Sequence, residues 1–239
     1  MIKTGISEFD ELIGGGIQAG FVILIEGPVG SGKSFLINHL AMNAIKQNLK
    51  MVYVCSNSRI GYLKEFFEKE GADVLFVDFY SWKIRETIPG TIGITTLSNI
   101  AECLEAIKKA CEEKQPNLLL FDSLSDVILY NDQNEFFKCL SNLVAFLKSK
   151  RITTVMVIEK DLHDDKVISL AEYLSDGVIE TRINESERQL RVLKMLGTSI
   201  PLKWITYELT PEGIKLIEQR KKEIQQEIKK AEKRIRQTS

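Results

Sequence analysis

The sequence has few of the residues on which metal sites and disulfide scaffolds depend. Its 239 residues include two histidines, His39 and His163, and four cysteines, none of which belongs to a C-x-x-C pair. So few histidines exclude a His-rich metal site, and isolated cysteines in a chain of this size predict reduced, packed thiols. No G-x-S-x-G turn is present to indicate a serine nucleophile.

Long apolar runs and an excess of one charge are also missing. No stretch approaches the ~20 apolar residues of a membrane span, and the N-terminus lacks the apolar core and cleavage site of a signal peptide. We therefore expect a cytoplasmic protein. The 32 basic and 33 acidic residues leave a net charge of −1, and aromatic residues make up 8% of the chain. This balance argues against a nucleic-acid partner without excluding one.

Short apolar runs alternate with amphipathic stretches through the first two thirds of the chain. Short continuous runs are typical of parallel strands that are buried on both faces. They lie at residues 21–25, 51–54, 74–77, 118–121 and 154–158. Helical spacing is found between them at residues 33–46, 60–70, 97–114 and 135–150. This alternation predicts an α/β fold with a mainly parallel central sheet flanked by helices.

The last third of the chain changes character. Three closely spaced β-like segments at 177–182, 189–196 and 202–209 predict antiparallel C-terminal strands that extend the sheet. From Lys215 to Arg236, nine basic residues accompany four acidic ones, and isoleucines recur with heptad-like spacing. We therefore expect a long charged helix over residues 214–239. It either binds a protein partner or packs one narrow face on its own domain.

The segment Gly27–Ser34 matches G-x-x-x-x-G-K-[ST], the phosphate-binding P-loop. The glycines let backbone N–H groups face a phosphate, Lys33 reaches the β- and γ-phosphates, and the Ser34 hydroxyl coordinates Mg²⁺. A predicted strand before the loop and a predicted helix after it provide the context that the motif requires. The predicted phosphate-binding residues are Gly27, Pro28, Val29, Gly30, Ser31, Gly32, Lys33 and Ser34.

Asp122 follows the apolar run 118–121 and is the second predicted metal ligand. At the end of a strand its carboxylate can hold Mg²⁺, directly or through water, together with Ser34. The alternative is a structural role as N-cap of the next helix, which Ser123 or Ser125 can also fill. The sequence thus predicts a site for a nucleotide and Mg²⁺.

Further motifs surround the P-loop in a fixed order along the chain. They are Thr4–Ile17 before it, Ser175–Glu180 and Arg191–Thr198 after it, and Tyr207–Ile214 near the end. Together they resemble the KaiC/RadA-type branch of the RecA superfamily, especially its single-domain archaeal KaiC-like members. The resemblance implies a RecA-like ATP-binding domain over residues 1–213, with ATP and Mg²⁺ bound at subunit edges. It also implies a homo-oligomer, often a hexameric ring.

Two departures from the family pattern change the expected chemistry. Where the family commonly has a glutamate pair, one of which polarises the attacking water, this chain has Asn57 and Ser58. An amide cannot act as a general base. In the family's Lys-x-Arg-Gly segment, Lys194 is kept as a contact to the neighbouring subunit's γ-phosphate, but Leu196 replaces the arginine. Since an arginine finger can contribute about 10³–10⁵ in rate, we expect weak or absent hydrolysis.

The candidate catalytic residues are Glu159, which ends the run 154–158, and Asn57, which can orient a water molecule. The leading hypothesis is an ATP-binding regulatory or assembly module with a protein partner at its C-terminal helix. Three alternatives stay open: an active ATPase that drives a partner, a recombinase-like DNA-binding ATPase, and an archaellum motor accessory ATPase.

Overall fold

The computed structural model describes residues 1–210 and 213–217. The strands are β1 (Val22–Gly27), β2 (Met51–Cys55), β3 (Val74–Asp78), β4 (Thr91–Gly93), β5 (Leu118–Asp122), β6 (Thr153–Glu159), β7 (Gly177–Asn184), β8 (Glu187–Met195), β9 (Ile205–Thr210) and β10 (Gly213–Leu216). The helices are α1 (Ser7–Leu12), α2 (Lys33–Lys46), α3 (Ile60–Lys69), α4 (Ser81–Ile84), α5 (Ile100–Lys114), α6 (Leu124–Leu129), α7 (Gln133–Ser149) and α8 (Asp165–Leu174). A 3-10 turn spans Lys160–Leu162.

The described strands form one sheet in the order β10-β9-β8-β7-β1-β6-β5-β2-β3-β4. Neighbouring strands run parallel from β7 to β4. They run antiparallel from β7 to β10. The predicted fold class, a mainly parallel sheet with an antiparallel C-terminal extension, is therefore confirmed.

Two hydrophobic cores lie on opposite faces of this sheet. Along β1, Val22 and Leu24 belong to the core that α5–α8 cover, whereas Ile23 and Ile25 belong to the core that α1–α3 cover. All four side chains have no exposed surface. A strand that is buried on both faces needs apolar residues at every position, which is why its sequence shows a continuous run rather than alternation.

Most predicted elements are present with shifts of a few residues at their ends. Helix α2 begins and ends at the predicted residues 33 and 46. Helix α1 was not predicted, and α6 was raised only as the helix that follows Asp122, because six residues are too few for a helical period to stand out. Helix α8 was also missed, although it carries a local signal: Asp164 caps it by accepting a hydrogen bond from the backbone N–H of Val167.

The structure differs from expectation at the start of the predicted C-terminal helix. Residues Gly213–Leu216 form the edge strand β10, which pairs with β9 and packs against α2. Ile214 and Leu216 are buried and Lys215 between them is half-buried, so the segment follows the two-residue period of a strand. The rest of the predicted helix, residues 218–239, lies outside the described residues.

Candidate functional site

Four parallel strands end side by side at one edge of the sheet, in the order β1, β6, β5, β2. The pairing places Gly27 of β1 beside Glu159 of β6, and Cys55 of β2 beside Asp122 of β5. The chain continues from β1 into the P-loop and from β2 into Asn57. In open α/β sheets, ligands bind beyond the carboxyl ends of the strands, so this edge is where a ligand is expected.

The P-loop is wound around the amino group of its own lysine. The Lys33 ammonium donates hydrogen bonds to the carbonyl oxygens of Gly27, at 3.0 Å, and of Pro28, at 2.8 Å. Burial lowers the pKa of Lys33, and the charges of Glu159 and Asp122 oppose that shift. Gly32, which precedes α2, has a φ of +95°, a conformation that glycine adopts at little cost. The loop thus holds a buried cation at its centre.

Side chains from β7, β8 and β9 hold the P-loop by hydrogen bonds. The Thr181 hydroxyl, on β7, donates to the carbonyl oxygen of Glu26 at 2.9 Å and lies 2.7 Å from the Ser31 hydroxyl. The Tyr207 hydroxyl, on β9, donates to the carbonyl oxygen of Ser31, and Arg188 of β8 donates to that of Gly30 at 3.2 Å. These supporting residues were not identified from the sequence, because their contacts depend on strand pairing.

Asp122 and Ser34, the two predicted metal ligands, lie next to each other. Asp122 is 3% exposed, and its Oδ2 atom has no hydrogen-bond partner among the described residues. Burial raises the pKa of this carboxyl, while a hydrogen bond with Ser34 and the charge of Arg59 lower it. A buried carboxylate oxygen without a hydrogen-bond partner, beside a hydroxyl, fits a divalent cation.

A Mg²⁺ ion usually takes one or two protein ligands and completes its shell with phosphate oxygens and water. Within residues 1–210 and 213–217, no group of three or more His, Cys, Asp or Glu side chains is arranged to hold a metal. The acidic segment 161–165, which contains His163, contributes no such group among these residues. Ser34 and Asp122 are suited to a metal that arrives with a nucleotide.

Arg59 is a part of the site that sequence reasoning missed. Its guanidinium Nη2 atom lies 3.6 Å from Asp122 Oδ2. The Asn57 side-chain oxygen accepts hydrogen bonds from the Arg59 backbone N–H, at 3.0 Å, and from its Nε, at 3.2 Å. Asn57 therefore lies in the site as predicted, but its amide oxygen holds Arg59.

Glu159 lies close to the P-loop lysine. Its Oε1 atom is 4.0 Å from the Lys33 ammonium, and its Oε2 accepts a hydrogen bond from the Ser123 hydroxyl at 2.9 Å. Its backbone N–H donates to the Ser125 hydroxyl, which also lies 2.9 Å from His163 Nε2. The predicted candidate is therefore near the site, with one oxygen engaged by a hydroxyl.

A cavity of about 230 Å³ opens between these side chains. It contains a further acid, Asp126, whose Oδ2 accepts a hydrogen bond from the Ser56 hydroxyl at 2.6 Å. Asp126 lies in the first turn of α6, just after the strand that ends at Asp122, and that closeness in the chain is the sequence feature that links it to the site. The lining residues are Ser34, Asn57, Arg59, Asp122, Ser123, Ser125, Asp126, Leu129, Glu159 and Leu162.

A wider groove of about 670 Å³ adjoins this cavity between α2, α3 and the ends of β9 and β10. Phe35, which follows Ser34 directly, is 48% exposed, and Tyr62 of α3 is 69% exposed. Arg59 lines both the groove and the cavity. The groove offers aromatic faces next to the phosphate-binding loop, an arrangement that suits a base and a ribose.

Lys194 lies apart from the P-loop of its own chain. Its ammonium donates to the carbonyl oxygens of Glu172, at 3.1 Å, and Ser175, at 2.6 Å, at the carboxyl end of α8. Leu196, in the position of the expected arginine, is 57% exposed just beyond β8. The Lys194 side chain therefore bonds to the end of α8 rather than to the P-loop of its own chain.

Comparison with known proteins agrees with this geometry. The sequence matches the family profile described as "ATPase: KaiC" over residues 2–221. A UPF0273 protein of Thermotoga maritima is 26% identical over 234 residues, which cover 89% of this chain and 94% of that protein. The circadian clock oscillator protein KaiC of Rippkaea orientalis is 25% identical over 241 residues, which cover 90% of this chain and 43% of that protein.

Two crystal structures share the fold. A KaiC-like protein from Pyrococcus horikoshii OT3 has a TM-score of 0.72 at 24% identity, and the match covers 90% of this chain and 97% of that one. The flagellar accessory protein FlaH from Methanocaldococcus jannaschii has a TM-score of 0.71 at 18% identity, with the same coverage. None of the described helices is both long enough and apolar enough to span a membrane.

Proposed function

Because this chain belongs to the KaiC family of ATPases, we propose that it is a nucleotide-controlled regulatory or assembly module that hydrolyses ATP slowly. The family match agrees with the predicted resemblance and supports an ATP-binding protein with a RecA-like fold. The observation that supports slow hydrolysis and a regulatory function is the position of Asn57. Asn57 stands where the family commonly has a catalytic glutamate, and its amide oxygen is occupied by Arg59.

The phosphates of ATP would bind in the P-loop. Backbone N–H groups of the loop and the positive end of the α2 dipole favour a polyanion there, and the buried Lys33 ammonium supplies a full charge. Ser34 and Asp122 would hold Mg²⁺, which neutralises charge on the β- and γ-phosphates. The base and ribose would lie in the adjoining groove against Phe35 and Tyr62.

Slow hydrolysis follows from what the site lacks within the described residues. A general base needs a carboxylate or imidazole within hydrogen-bond reach of the attacking water. Asn57 has neither group, and the two further acids of the cavity, Glu159 and Asp126, each accept a hydrogen bond from a hydroxyl. Leu196 in place of the arginine removes a second contribution to rate.

Nucleotide binding without turnover can still control assembly. A ligand that binds only the assembled state stabilises that state by about 2.7 kcal/mol at a concentration 100-fold above its Kd. Lys194 lies on an exposed strand end, where a neighbouring subunit's nucleotide can reach it. The charged segment 218–239 is the proposed contact for a protein partner.

The experiment that tests this function measures ATP loading and phosphate release on the same protein. We expect stable Mg²⁺-dependent ATP loading, with release at least about a hundredfold below the ~1 s⁻¹ at the lower end of ordinary enzymes. Lys33→Ala should abolish the loading. The proposal would be contradicted if the wild type released phosphate at an ordinary enzymatic rate and Lys33→Ala abolished that release. Such a protein would not be controlled by ATP occupancy alone.

An active ATPase is the second candidate, because Glu159 lies 4.0 Å from the Lys33 ammonium inside the cavity. Asn57→Glu restores a carboxylate at the missing position and should raise phosphate release by about 10²-fold if that acid limits the rate. Ser58→Glu tests the other position of the glutamate pair and should change little if Asn57 is the limiting position, since Ser58 is exposed and does not line the cavity. If Glu159 is the base instead, Asn57→Glu will change little and Glu159→Gln will abolish release.

A further inference from the structure

The buried carboxylate of Asp122 already has a cation beside it. Arg59 places Nη2 3.6 Å from Asp122 Oδ2, the same oxygen that has no hydrogen-bond partner among the described residues. Asp122 is also the carboxylate that the predicted metal site shares with Ser34. A divalent cation at this site would therefore meet Arg59 at the same carboxylate.

The second cation near Asp122 is committed elsewhere. The Lys33 ammonium is held by the carbonyl oxygens of Gly27 and Pro28 and lies 4.0 Å from Glu159. An ionised carboxylate that is 3% exposed needs a nearby positive charge, because removing it from water is costly. Among the described residues, Arg59 is the cation that pairs with Asp122.

Arg59 is held by Asn57 and also reaches solvent. The Asn57 amide oxygen accepts hydrogen bonds from the Arg59 backbone N–H and from the guanidinium Nε, which positions the guanidinium beside the cavity. The side chain is 50% exposed, which gives the guanidinium a route into solvent or toward the adjoining groove. Asn57 therefore has a positioning role: it keeps Arg59 within reach of Asp122.

We propose that Arg59 is the built-in counterion of Asp122, and that Mg²⁺ must displace it when a nucleotide binds. Arg59 thereby sets the Mg²⁺ concentration at which the site fills. Two cations repel each other at one carboxylate, and this repulsion weakens metal binding for as long as Arg59 stays in place. The proposal rests on the proposed nucleotide binding at the P-loop.

The test is a Mg²⁺ titration of nucleotide binding, with a fluorescent, non-hydrolysable ATP analogue as the probe. The readouts are the Mg²⁺ concentration at half-saturation and the shift in thermal unfolding midpoint at each Mg²⁺ concentration. Arg59→Gln should lower the half-saturating Mg²⁺ concentration by roughly three- to fivefold, as expected for a partly exposed ion pair. Arg59→Lys, which keeps the charge, should stay closer to the wild type.

Lys69→Gln is the matched control, because it removes one positive charge from the exposed carboxyl end of α3, the helix that follows Arg59. It should leave the Mg²⁺ titration unchanged. Asn57→Ala keeps Arg59 but releases its anchor, so it should shift the titration in the same direction by a smaller factor. This second variant keeps the proposal testable if Arg59→Gln does not fold.

Three results would overturn the proposal. An unchanged Mg²⁺ titration in Arg59→Gln shows that Arg59 does not compete with the metal. If Arg59→Gln weakens analogue binding equally in Mg²⁺ and in EDTA, Arg59 is a phosphate ligand instead. An equal shift in Lys69→Gln shows a general charge effect. If the wild type binds no analogue under any condition, the proposed function fails first, and the counterion role falls with it.

Discussion

The hydroxyl groups of Thr181 and Ser31 lie 2.7 Å apart, although 150 residues separate them in the sequence. Ser31 belongs to the P-loop and Thr181 to β7, the first strand of the antiparallel part of the sheet. Thr181 also donates to the carbonyl oxygen of Glu26, the residue before the loop. The shape of the phosphate-binding loop therefore depends on strands from the far end of the chain.

We expect Thr181→Val to destabilise the protein by about 1–2 kcal/mol, because the buried Glu26 carbonyl loses its hydroxyl donor while the volume is kept. Urea unfolding measures this loss, and ATP affinity should fall with it. Thr206→Val on β9 removes a hydroxyl that bonds Glu187 at an exposed position and should cost less. Equal losses in the two variants would show that Thr181 has no special role in supporting the loop.

The elements that end at the site were predictable, because their patterns are local. The strands before the P-loop and before Asp122 are continuous apolar runs, and α2 follows directly from its helical spacing. The loop itself is specified by its glycines. At Gly27, for example, a Cβ atom would lie 2.1 Å from Thr181 Oγ1, so no larger residue fits.

Other parts of the site were not predictable, because they depend on contacts between distant segments. Tyr207 and Thr181 reach the P-loop only after the antiparallel strands have paired beside β1. Arg59 looks like an ordinary exposed residue before a helix until β2 and β5 bring it beside Asp122. At residues 214–216, local charge content suggested a helix, and pairing with β9 made a strand instead.

Glu26 should make stability depend on pH. Burial, together with the nearby Glu172, raises the pKa of this carboxyl from 4.5 to about 7, against the opposing effect of Lys160. At pH values between these two pKa values, the Glu26 carboxyl is therefore protonated in the folded protein and ionised in the unfolded chain. Stability is favoured at low pH and falls as pH rises from about 5 to 7, by at most about 3 kcal/mol.

Urea unfolding across this pH range measures the effect. Glu26→Gln cannot ionise, so its free energy of unfolding should decline less as pH rises. The difference in unfolding free energy between wild type and variant should therefore narrow or reverse. Glu113→Gln, an exposed position on α5, is the control and should leave the decline as it is. Parallel curves for wild type and Glu26→Gln would mean that another group causes the dependence.

A variant of Lys194 can distinguish a role within one subunit from a role between subunits. Within the chain it bonds two carbonyl oxygens at the end of α8, so Lys194→Ala should cost no more than about 1 kcal/mol in unfolding free energy. If it also contacts a neighbour's nucleotide, the variant should lose ATP-dependent assembly, measured by light scattering with and without Mg·ATP. Lys203→Ala is the control at another exposed lysine. Assembly that survives in Lys194→Ala would rule out the contact between subunits.

Phe35 offers a test of where the base lies. It follows Ser34 directly, is 48% exposed, and lines the groove beside the phosphate-binding loop. Stacking of a base on an aromatic ring contributes about 1–3 kcal/mol, so Phe35→Ala should weaken ATP binding by roughly tenfold or more. Inorganic tripolyphosphate has no base, so its affinity should stay the same in the variant. Calorimetric titration with the two ligands measures both effects on one preparation.

The comparison of ligands distinguishes stacking from damage to the loop. Because Phe35 lies in the first turn of α2, directly after Lys33 and Ser34, a distorted helix would weaken both ligands equally. Tyr173→Ala provides the control for losing an exposed aromatic ring, since Tyr173 is 79% exposed on α8 and lines neither the groove nor the cavity. A loss confined to ATP in Phe35→Ala places the base in the groove. An equal loss for tripolyphosphate would show that Phe35 acts only through the helix.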